Sequence, residues 1–450
     1  MKYAKGNHIY FLGIGGIGMS ALARFFKLQG ATVSGYDRSR TPLTQNLEDE
    51  GIHIHYTDDI ESIPQNPELV IYTPAIPHDQ LELLFIQQKG YPLMKRAEVL
   101  GMLTQNIPTI AIAGTHGKTT ITSMIAHILH EAGIKITAFI GGIANNFESN
   151  LVLSSDSQFM VVEADEYDKS FLLLQPDIAI ISSMDADHLD IYHSHAQMLQ
   201  HYNQFASRLK NDGILIHKAG LPLVNELNSF SYSIDSPADF KVQNIRVEHS
   251  SFVYEWIIPE HDDPISVVMK VPGRHNIENA LAASAVALKV GVSPEIIATA
   301  LRNYKGVWRR FDIKVQTKNH VYIDDYAHHP EELRACIQAV KELYPNEKVT
   351  GIFQPHLFTR TRDFMSEFAK SLSLLDELIL LEIYPARELP IEGITSQALL
   401  DVCQSKEKHL IAKQDILDFI SKKRPKLLVT VGAGDIDQIV NPLQKMISSW

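Results

Sequence analysis

The segment AGTHGKTT, Ala113 to Thr120, places two glycines, a lysine and neighbouring hydroxyls where an apolar run ends and a helical pattern begins. A strand-to-helix turn of this kind presents free backbone N–H groups and the positive end of a helix dipole to an anion. Gly114 and Gly117 let the backbone wrap a phosphate, with Thr115, His116 and Thr120 completing the loop. Lys118 reaches the outer oxygens and the Thr119 hydroxyl faces a divalent cation, so the loop is expected to hold ATP with Mg²⁺, or Mn²⁺ in its place. The spacing departs from G-x-x-x-x-G-K-[ST], because Ile112 stands where the first glycine would be. Two further strand ends carry acids. VVEADEYD puts Glu163 after a buried apolar run, and SSMDADHLD puts Asp185, Asp187, His188 and Asp190 just past another. Parallel strands deliver their C-terminal ends to one edge of a sheet, so Thr119, Glu163 and His188 can meet there. Mg²⁺ takes oxygen ligands and commonly one or two protein carboxylates, and Glu163 is the carboxylate chosen. The aspartates individually read equally well as helix caps or solvated loop residues.

A second glycine loop, GIGGIGMS, runs from Gly13 to Ser20 and fits G-x-G-x-x-G through Gly13, Gly15 and Gly18, with Asp37 after the next strand. Alone it predicts NAD, but the same geometry suits any pyrophosphate lying on a helix N-terminus. Beside an ATP loop, a nucleotide pyrophosphate other than NAD is the better ligand, held by Gly13, Gly15, Gly16, Gly18, Met19 and Ser20, with Asp37 at its ribose or base. Further on, FQPHLFTRTRDF places His356 and Arg360 in a loop after a strand. An arginine there can take a carboxylate in a two-pronged manner, as recognition of a free amino acid requires. HNIEN, His275 to Asn279, precedes the helix Ile277 to Val290, and its asparagines read as caps. Arg309 and Arg310 in GVWRRF read as a domain-bridging pair.

The elements that position these residues alternate strand and helix. His8 to Leu12, a glycine turn, Met19 to Gln29 closed by Gly30, and Ala31 to Tyr36 form a β-α-β unit. TIAIAGT opens a second series, with a helix from about Lys118 to Ala132 and strands at Met160 to Asp165 and Ile178 to Met184. Between Asn225 and Val271 short alternating strands suggest an antiparallel patch. From Ile313 a third series runs through VYIDDY, KVTGIFQP, ELILLEIYPA and KLLVTVGAG. The fold class is therefore α/β in three domains: residues 1–108, Rossmann-like; 109–312, a P-loop ATPase-type parallel sheet with an antiparallel patch; and 313–450, again Rossmann-like.

At 450 residues, about three domains of ~150 residues are expected, which excludes a single small binding module. A composition of 45% hydrophobic and 21% charged residues excludes disordered and fibrous classes. The net charge of −12 argues against a nucleic-acid binder, so anion sites must be local. Two cysteines, Cys336 and Cys403, without metal-ligand spacing imply a reducing, cytoplasmic setting, and no apolar run reaches ~18 residues, so neither a membrane span nor a secretion signal is expected.

GTHGKTT resembles the ATP loop of the Mur ligase family, the amide-forming enzymes that assemble the peptide stem of peptidoglycan, and the resemblance extends over essentially the whole chain. It implies one domain for a UDP-sugar, one for ATP and one for the incoming amino acid. It also implies that Glu163 and His188 bind metal and that Asn276 and Asn279 contact the nucleotide. Either Arg309 or Arg310 is implied as a phosphate-directed arginine, Arg310 being preferred. Relatives with a carbamylated lysine beyond the histidine differ from this chain, which has no lysine from Leu189 to Leu209. That absence, the uninterrupted glycines of the first loop, and DDYAHHP at Asp324 to Pro330 all resemble the alanine-adding branch, with Tyr326, His328 and His329 facing substrate and His356 and Arg360 lining the alanine and acyl-phosphate region. Leu357 and Arg387 depart from the residues many relatives carry. The implied reaction joins L-alanine to the lactyl carboxylate of UDP-N-acetylmuramate through an acyl phosphate, with Lys118, Glu163, His188, His356 and Arg360 at the chemistry, in a monomer or homodimer. The alternatives are a ligase that adds a preformed tripeptide, an NAD-dependent oxidoreductase, and a silent UDP-sugar binder.

Overall fold

The structure is a computed structural model describing every residue except 1–4, 106, 187–191, 193, 225–227, 260, 262 and 387, together with the side chain of Asp168. Three sheets organise the described residues. The first is built from β1 (His8–Leu12), β2 (Thr32–Tyr36), β3 (His53–His55), β4 (Leu69–Tyr72) and β5 (Leu93–Lys95), in the order β3-β2-β1-β4-β5 and parallel throughout. Alternate residues of a strand face opposite sides of its sheet. Ile9 and Phe11 accordingly enter one core, while Tyr10 and Leu12 enter the other. Helix α1 (Ile17–Leu28) follows the first glycine loop, and α2 (Arg96–Thr104) leaves β5.

The second sheet contains β6 (Thr109–Ala113), β7 (Ile136–Ala144), β8 (Ser149–Leu153), β9 (Phe159–Glu163), β10 (Ile178–Ile181), β11 (Ile214–Lys218), β12 (Ser229–Ser233), β13 (Phe240–Glu248), β14 (Ser251–Ile257) and β15 (Ile265–Met269). Its order is β15-β14-β13-β12-β11-β10-β6-β9-β7-β8. The sequence reading lacked β7 and β8, whose pairing is antiparallel at the edge beside β9. The patch read over 225–271 also begins later than expected, because β12 pairs parallel with both β11 and β13. The hairpin proper is β13–β14, turned by His249 and Ser250 with φ of 48° and 60°, the left-handed pair that two-residue hairpin turns require.

The third sheet, β16 (Asp312–Gln316), β17 (Val321–Asp325), β18 (Val349–Phe353), β19 (Glu377–Leu380), β20 (Glu407–Leu410) and β21 (Leu427–Val431), is ordered β16-β17-β21-β18-β19-β20. Only β16 runs antiparallel. Leu427 and Val429 face one core and Leu428 the other, so the mostly apolar run of β21, interrupted by buried Thr430, reflects a strand covered on both sides.

Contact density separates the chain into two compact units. One comprises Met1–Lys241, Trp256–Ile265 and Asn279–Leu301; the other comprises Val242–Glu255, Ser266–Glu278 and Arg302–Trp450. The first sheet and strands β6 to β12 of the second share the former, where one apolar cluster runs from Ile9 and Phe25 to Phe139, Val162 and Leu215. Phe25 of α1 packs on Phe139 of β7 with ring centroids 5.5 Å apart. Asn150 of β8 donates to the Ile17 carbonyl at 2.6 Å. The strands missing from the sequence reading thus form the surface on which α1 sits. Among the described residues no helix is long and apolar enough to cross a membrane.

Candidate active site

The candidate phosphate loop joins β6 to α3 (Lys118–Glu131). Gly114 (φ 140°) and Gly117 (φ 86°) both take backbone conformations that other residues rarely adopt. A Cβ at Gly114 would lie 2.1 Å from Ser182 Oγ, and one at Gly117 2.6 Å from Asn279 Oδ1. The first N–H groups of α3 have no intrahelical acceptor and open onto the loop. Two serines past β10, which the sequence reading passed over, brace it: His116 N–H donates to Ser183 Oγ at 2.8 Å, and Ser182 Oγ donates to the His116 carbonyl at 2.5 Å. Thr115 donates to the Asp185 carbonyl at 2.8 Å.

Sheet register brings the acids to this loop. Glu163 ends β9 opposite Ile112 of β6, two residues before Gly114. Its carboxylate accepts from Thr119 Oγ1 at 3.2 Å and from the Gly141 N–H, at the bend of β7, at 2.5 Å. Burial pushes the Glu163 carboxyl up, against the Gly141 N–H, Lys118 and Thr119, which pull it down. A partly buried carboxylate beside a hydroxyl is the all-oxygen donor set that a hard divalent cation takes. Lys118 donates to the Gly114 carbonyl at 2.6 Å and pairs with Glu166 at 2.8 Å. Burial works against its charge, but Glu166, Asp165 and Glu163 outweigh it and hold the lysine protonated. Glu166, almost fully buried, was missed because three acids stand within four positions and only the fold tells which one faces Lys118. His188, Asp187 and Asp190 lie outside the described residues.

HNIEN lies within α4 (Arg274–Lys289) rather than ahead of it, so Asn276 and Asn279 are not caps flanking the helix. Asn276 is buried and donates to the Pro272 carbonyl at 2.6 Å, while Asn279 abuts Gly117.

In the first glycine loop Gly13 (φ 82°) turns the chain, and the N–H groups of Gly13 and Ile14 both donate to the Tyr36 carbonyl. Asp37 accepts from the Gly15 N–H at 2.8 Å, so in this conformation it holds the loop itself. Gly16 is the helix N-cap, and a side chain there would meet nothing closer than 3.6 Å. The side chains of Met19 and Ser20 face inward. Met19 is 2% exposed, and the Ser20 hydroxyl donates to the Ile17 carbonyl while accepting from Asn150. What these two residues present to a ligand is therefore at most backbone. A cavity between the loop and Glu163 is lined by Gly18, Arg96, Phe139, Gly141, Glu163 and Asp165.

In the other unit, β17 and β18 flank β21 and deliver a second group of residues to one edge. His356 follows β18, with its ring stacked on Tyr384 at 5.7 Å and 6.1 Å from the His328 ring. Arg360 lies in a short helix, Phe358–Asp363, rather than a loop; it is buried, with Nη1 3.5 Å from His356 Nδ1. Leu357, just before it, holds φ of 72°, a strained value for a branched residue. Tyr326 and His328 adjoin edge to face at 5.5 Å. His329 is instead buried as the N-cap of α5 (Pro330–Leu343), accepting from the Glu331 N–H. The two arginines separate cleanly: Arg309 is 6% exposed and bound to buried Asp324 and the Gly432 carbonyl, both at 2.8 Å. Arg310 is 31% exposed, 3.8 Å from Glu332 and 5.1 Å from the Tyr326 ring centre. Arg387 lies outside the described residues.

Three family descriptions match the chain: the Mur ligase family catalytic domain over residues 8–107, the Mur ligase middle domain over 112–287, and the Mur ligase glutamate ligase domain over 309–434. A UDP-N-acetylmuramate–L-alanine ligase of Christiangramia forsetii is 48% identical over 446 residues, 98% of this chain and 97% of the relative. The crystal structure of the UDP-N-acetylmuramate-alanine ligase of Thermotoga maritima is similar with a TM-score of 0.85 and 29% identity, over 98% of this chain and 100% of that one. A murein peptide ligase of Psychrobacter arcticus has a TM-score of 0.75 at 24% identity, over 99% of each chain, a likeness of fold.

Proposed function

The chain belongs to the Mur ligase family, and on that premise we propose that it joins L-alanine to the lactyl carboxylate of UDP-N-acetylmuramate, with ATP as the phosphoryl donor, in the synthesis of peptidoglycan precursors. The observation that carries the reading is the placement of Glu163. Its carboxylate touches Thr119 of the phosphate loop and lines the cavity that reaches Gly18 of the other glycine loop. An ATP loop and a sugar-nucleotide loop thus converge on one carboxylate. An oxidoreductase would leave that convergence without a task. The tripeptide-adding alternative shares the fold, but the relative named for L-alanine is 48% identical along nearly the whole chain.

Water makes a carboxylate a poor electrophile, so the acid is first phosphorylated. A lactyl carboxylate oxygen attacks the γ-phosphorus and ADP leaves. The alanine amine then attacks the acyl carbon, its proton is lost, and phosphate departs as the amide forms. No nucleophilic side chain is needed; positioning and charge stabilisation do the work. The N–H groups at Gly117 and the head of α3 cradle the phosphates, and Lys118 follows the charge on the transferred group. Thr119 and Glu163 would hold Mg²⁺, with His188 on a second ion, and these supply charge neutralisation on the phosphate oxygens. Asn279 supports the loop from outside. Arg310, half-exposed over Tyr326, is the arginine left to meet phosphate, since Arg309 is consumed by Asp324. Arg360, with His356 and His328, would take the carboxylate of alanine. In this reading residues 1–108 bind the sugar nucleotide, 109–312 bind ATP and 313–450 bind the amino acid. Free, buried Cys336 and Cys403 suit the reducing cytoplasm.

The test is ADP release with UDP-N-acetylmuramate and Mg²⁺, screened across L-alanine, glycine, L-serine and the tripeptide. L-Alanine should give the fastest turnover. Lys118→Ala should abolish it while leaving UDP-sugar binding largely intact, and near-normal turnover in that variant would refute the assignment of the phosphate loop.

A further inference from the structure

Arg96 opens α2, and its side chain, 30% exposed, lays the guanidinium against Gly18 and Asp165. Nη1 occupies the space where a side chain at Gly18 would begin, 2.2 Å from the position of a Cβ there. Gly18 needs no special backbone angle, so its missing side chain is explained by this approach. Nη2 donates to Asp165 Oδ2 at 3.2 Å, across the cavity that Gly141 and Glu163 also line. The guanidinium therefore rests on the first turn of α1, the positive end of that helix. That turn contains no acidic residue, and its N-cap, Gly16, offers no side chain to the free N–H groups. A cation placed against a helix N-terminus is electrostatically unfavourable unless an anion shares the space. Asp165 balances one edge of the guanidinium, and the planar fork leaves the other edge facing the loop.

We propose that Arg96 binds the diphosphate of the sugar nucleotide together with the α1 N-terminus, and that Asp165 is a positioning residue that holds the guanidinium over Gly18. This rests on the sugar-nucleotide reading of the first glycine loop. It adds to that reading a residue from β5–α2, some eighty positions away in the chain. It also gives the third glycine a physical purpose: room for the arginine. Because Asp165 stands two residues from Glu163, the same arginine ties the diphosphate end of the substrate to the strand that faces ATP.

Calorimetric binding of uridine, UDP and UDP-N-acetylmuramate to the full-length protein and to Arg96→Ala, Arg96→Lys and Asp165→Asn tests this without turnover. Arg96→Ala should weaken UDP and UDP-N-acetylmuramate by the same factor, about tenfold or more as for a lost charge-assisted contact, and leave uridine unchanged. Arg96→Lys should recover part of the loss, and Asp165→Asn should show a smaller loss of the same pattern. Retained ATP binding and an unchanged circular dichroism spectrum mark each variant as folded. UDP binding to Arg96→Ala within twofold of wild type overturns the proposal. So does a loss confined to UDP-N-acetylmuramate, which assigns Arg96 to the lactyl carboxylate instead. Wild-type protein that binds UDP but releases no ADP with L-alanine would overturn the proposed function and leave the Arg96 assignment standing.

Discussion

Gly141→Ala probes the placement of Glu163 with little disturbance elsewhere. A Cβ built at Gly141 lies 2.4 Å from Glu163 Oε2, 2.6 Å from Oε1 and 2.7 Å from Cδ, with no other atom among its three nearest neighbours. Carbon and oxygen at such distances are well inside contact, so the carboxylate must retreat by roughly 1 Å to restore an ordinary separation. Gly141 is exposed and has no left-handed φ, so alanine fits the backbone and the strain falls on the far end of a flexible side chain. The retreat loosens the Gly141 N–H bond to Oε1 and moves the carboxylate relative to Thr119. A ~1 Å misplacement of a reacting or metal-holding group costs on the order of 100-fold in rate, and losing a hydrogen bond to a charged group costs ~1.5–3 kcal/mol, about 10- to 150-fold. We therefore expect kcat to fall roughly 10- to 100-fold. The Mg²⁺ concentration for half-maximal ADP release should rise, with Tm little changed. The assay is ADP release against Mg²⁺ at saturating ATP, beside a melting curve. Wild-type kcat and Mg²⁺ dependence in a folded variant would refute the placement of Glu163 at the reacting phosphate.

The two arginines should behave oppositely. Arg309→Ala strips buried Asp324 of its partner and should cost ~3–5 kcal/mol of stability by denaturant unfolding, whereas Arg310→Ala should change stability by at most ~0.5 kcal/mol and raise the KM for ATP. Arg360→Ala should raise the KM for L-alanine about 10-fold or more while leaving the KM for ATP near its starting value; unchanged alanine kinetics would remove Arg360 from the site. Burial pushes the Asp325 carboxyl up to about 6, despite Arg310 and the N–H groups of Phe311 and Ala327. The folded chain then binds a proton that the unfolded chain has released, so this group lowers stability as pH rises from ~4 to about 6, by up to ~3 kcal/mol at neutral pH. Asp325→Asn removes that term but satisfies only one of the two N–H donors, so its Tm relative to wild type should improve between pH 4 and pH 7.5; a constant difference across that range would contradict the raised value.

What the sequence determined by itself is local. Gly114, Gly117 and Lys118 sit in a contiguous strand–turn–helix, where spacing alone fixes backbone angles and the direction of the free N–H groups, so the geometry of the candidate phosphate loop was legible. Apolar runs such as those of β10 and β21 announced covered parallel strands for the same reason. The edge pair β7–β8 escaped notice because IGGIANN, with its glycines and asparagines, lacks the alternation of a strand; packing of α1 on Phe139 and Asn150 is what makes it one. Everything that depends on which strands become neighbours waited for the tertiary structure. The order β10-β6-β9-β7 places Ser182, Ser183, Glu163 and Gly141 around one loop, although they lie tens of positions apart in the chain. It also selects Glu166 rather than its neighbours for Lys118, and Arg309 rather than Arg310 for burial. Residue types state what a side chain can do, but desolvation and distance decide which of several equivalent candidates does it, and both are properties of the assembled sheets.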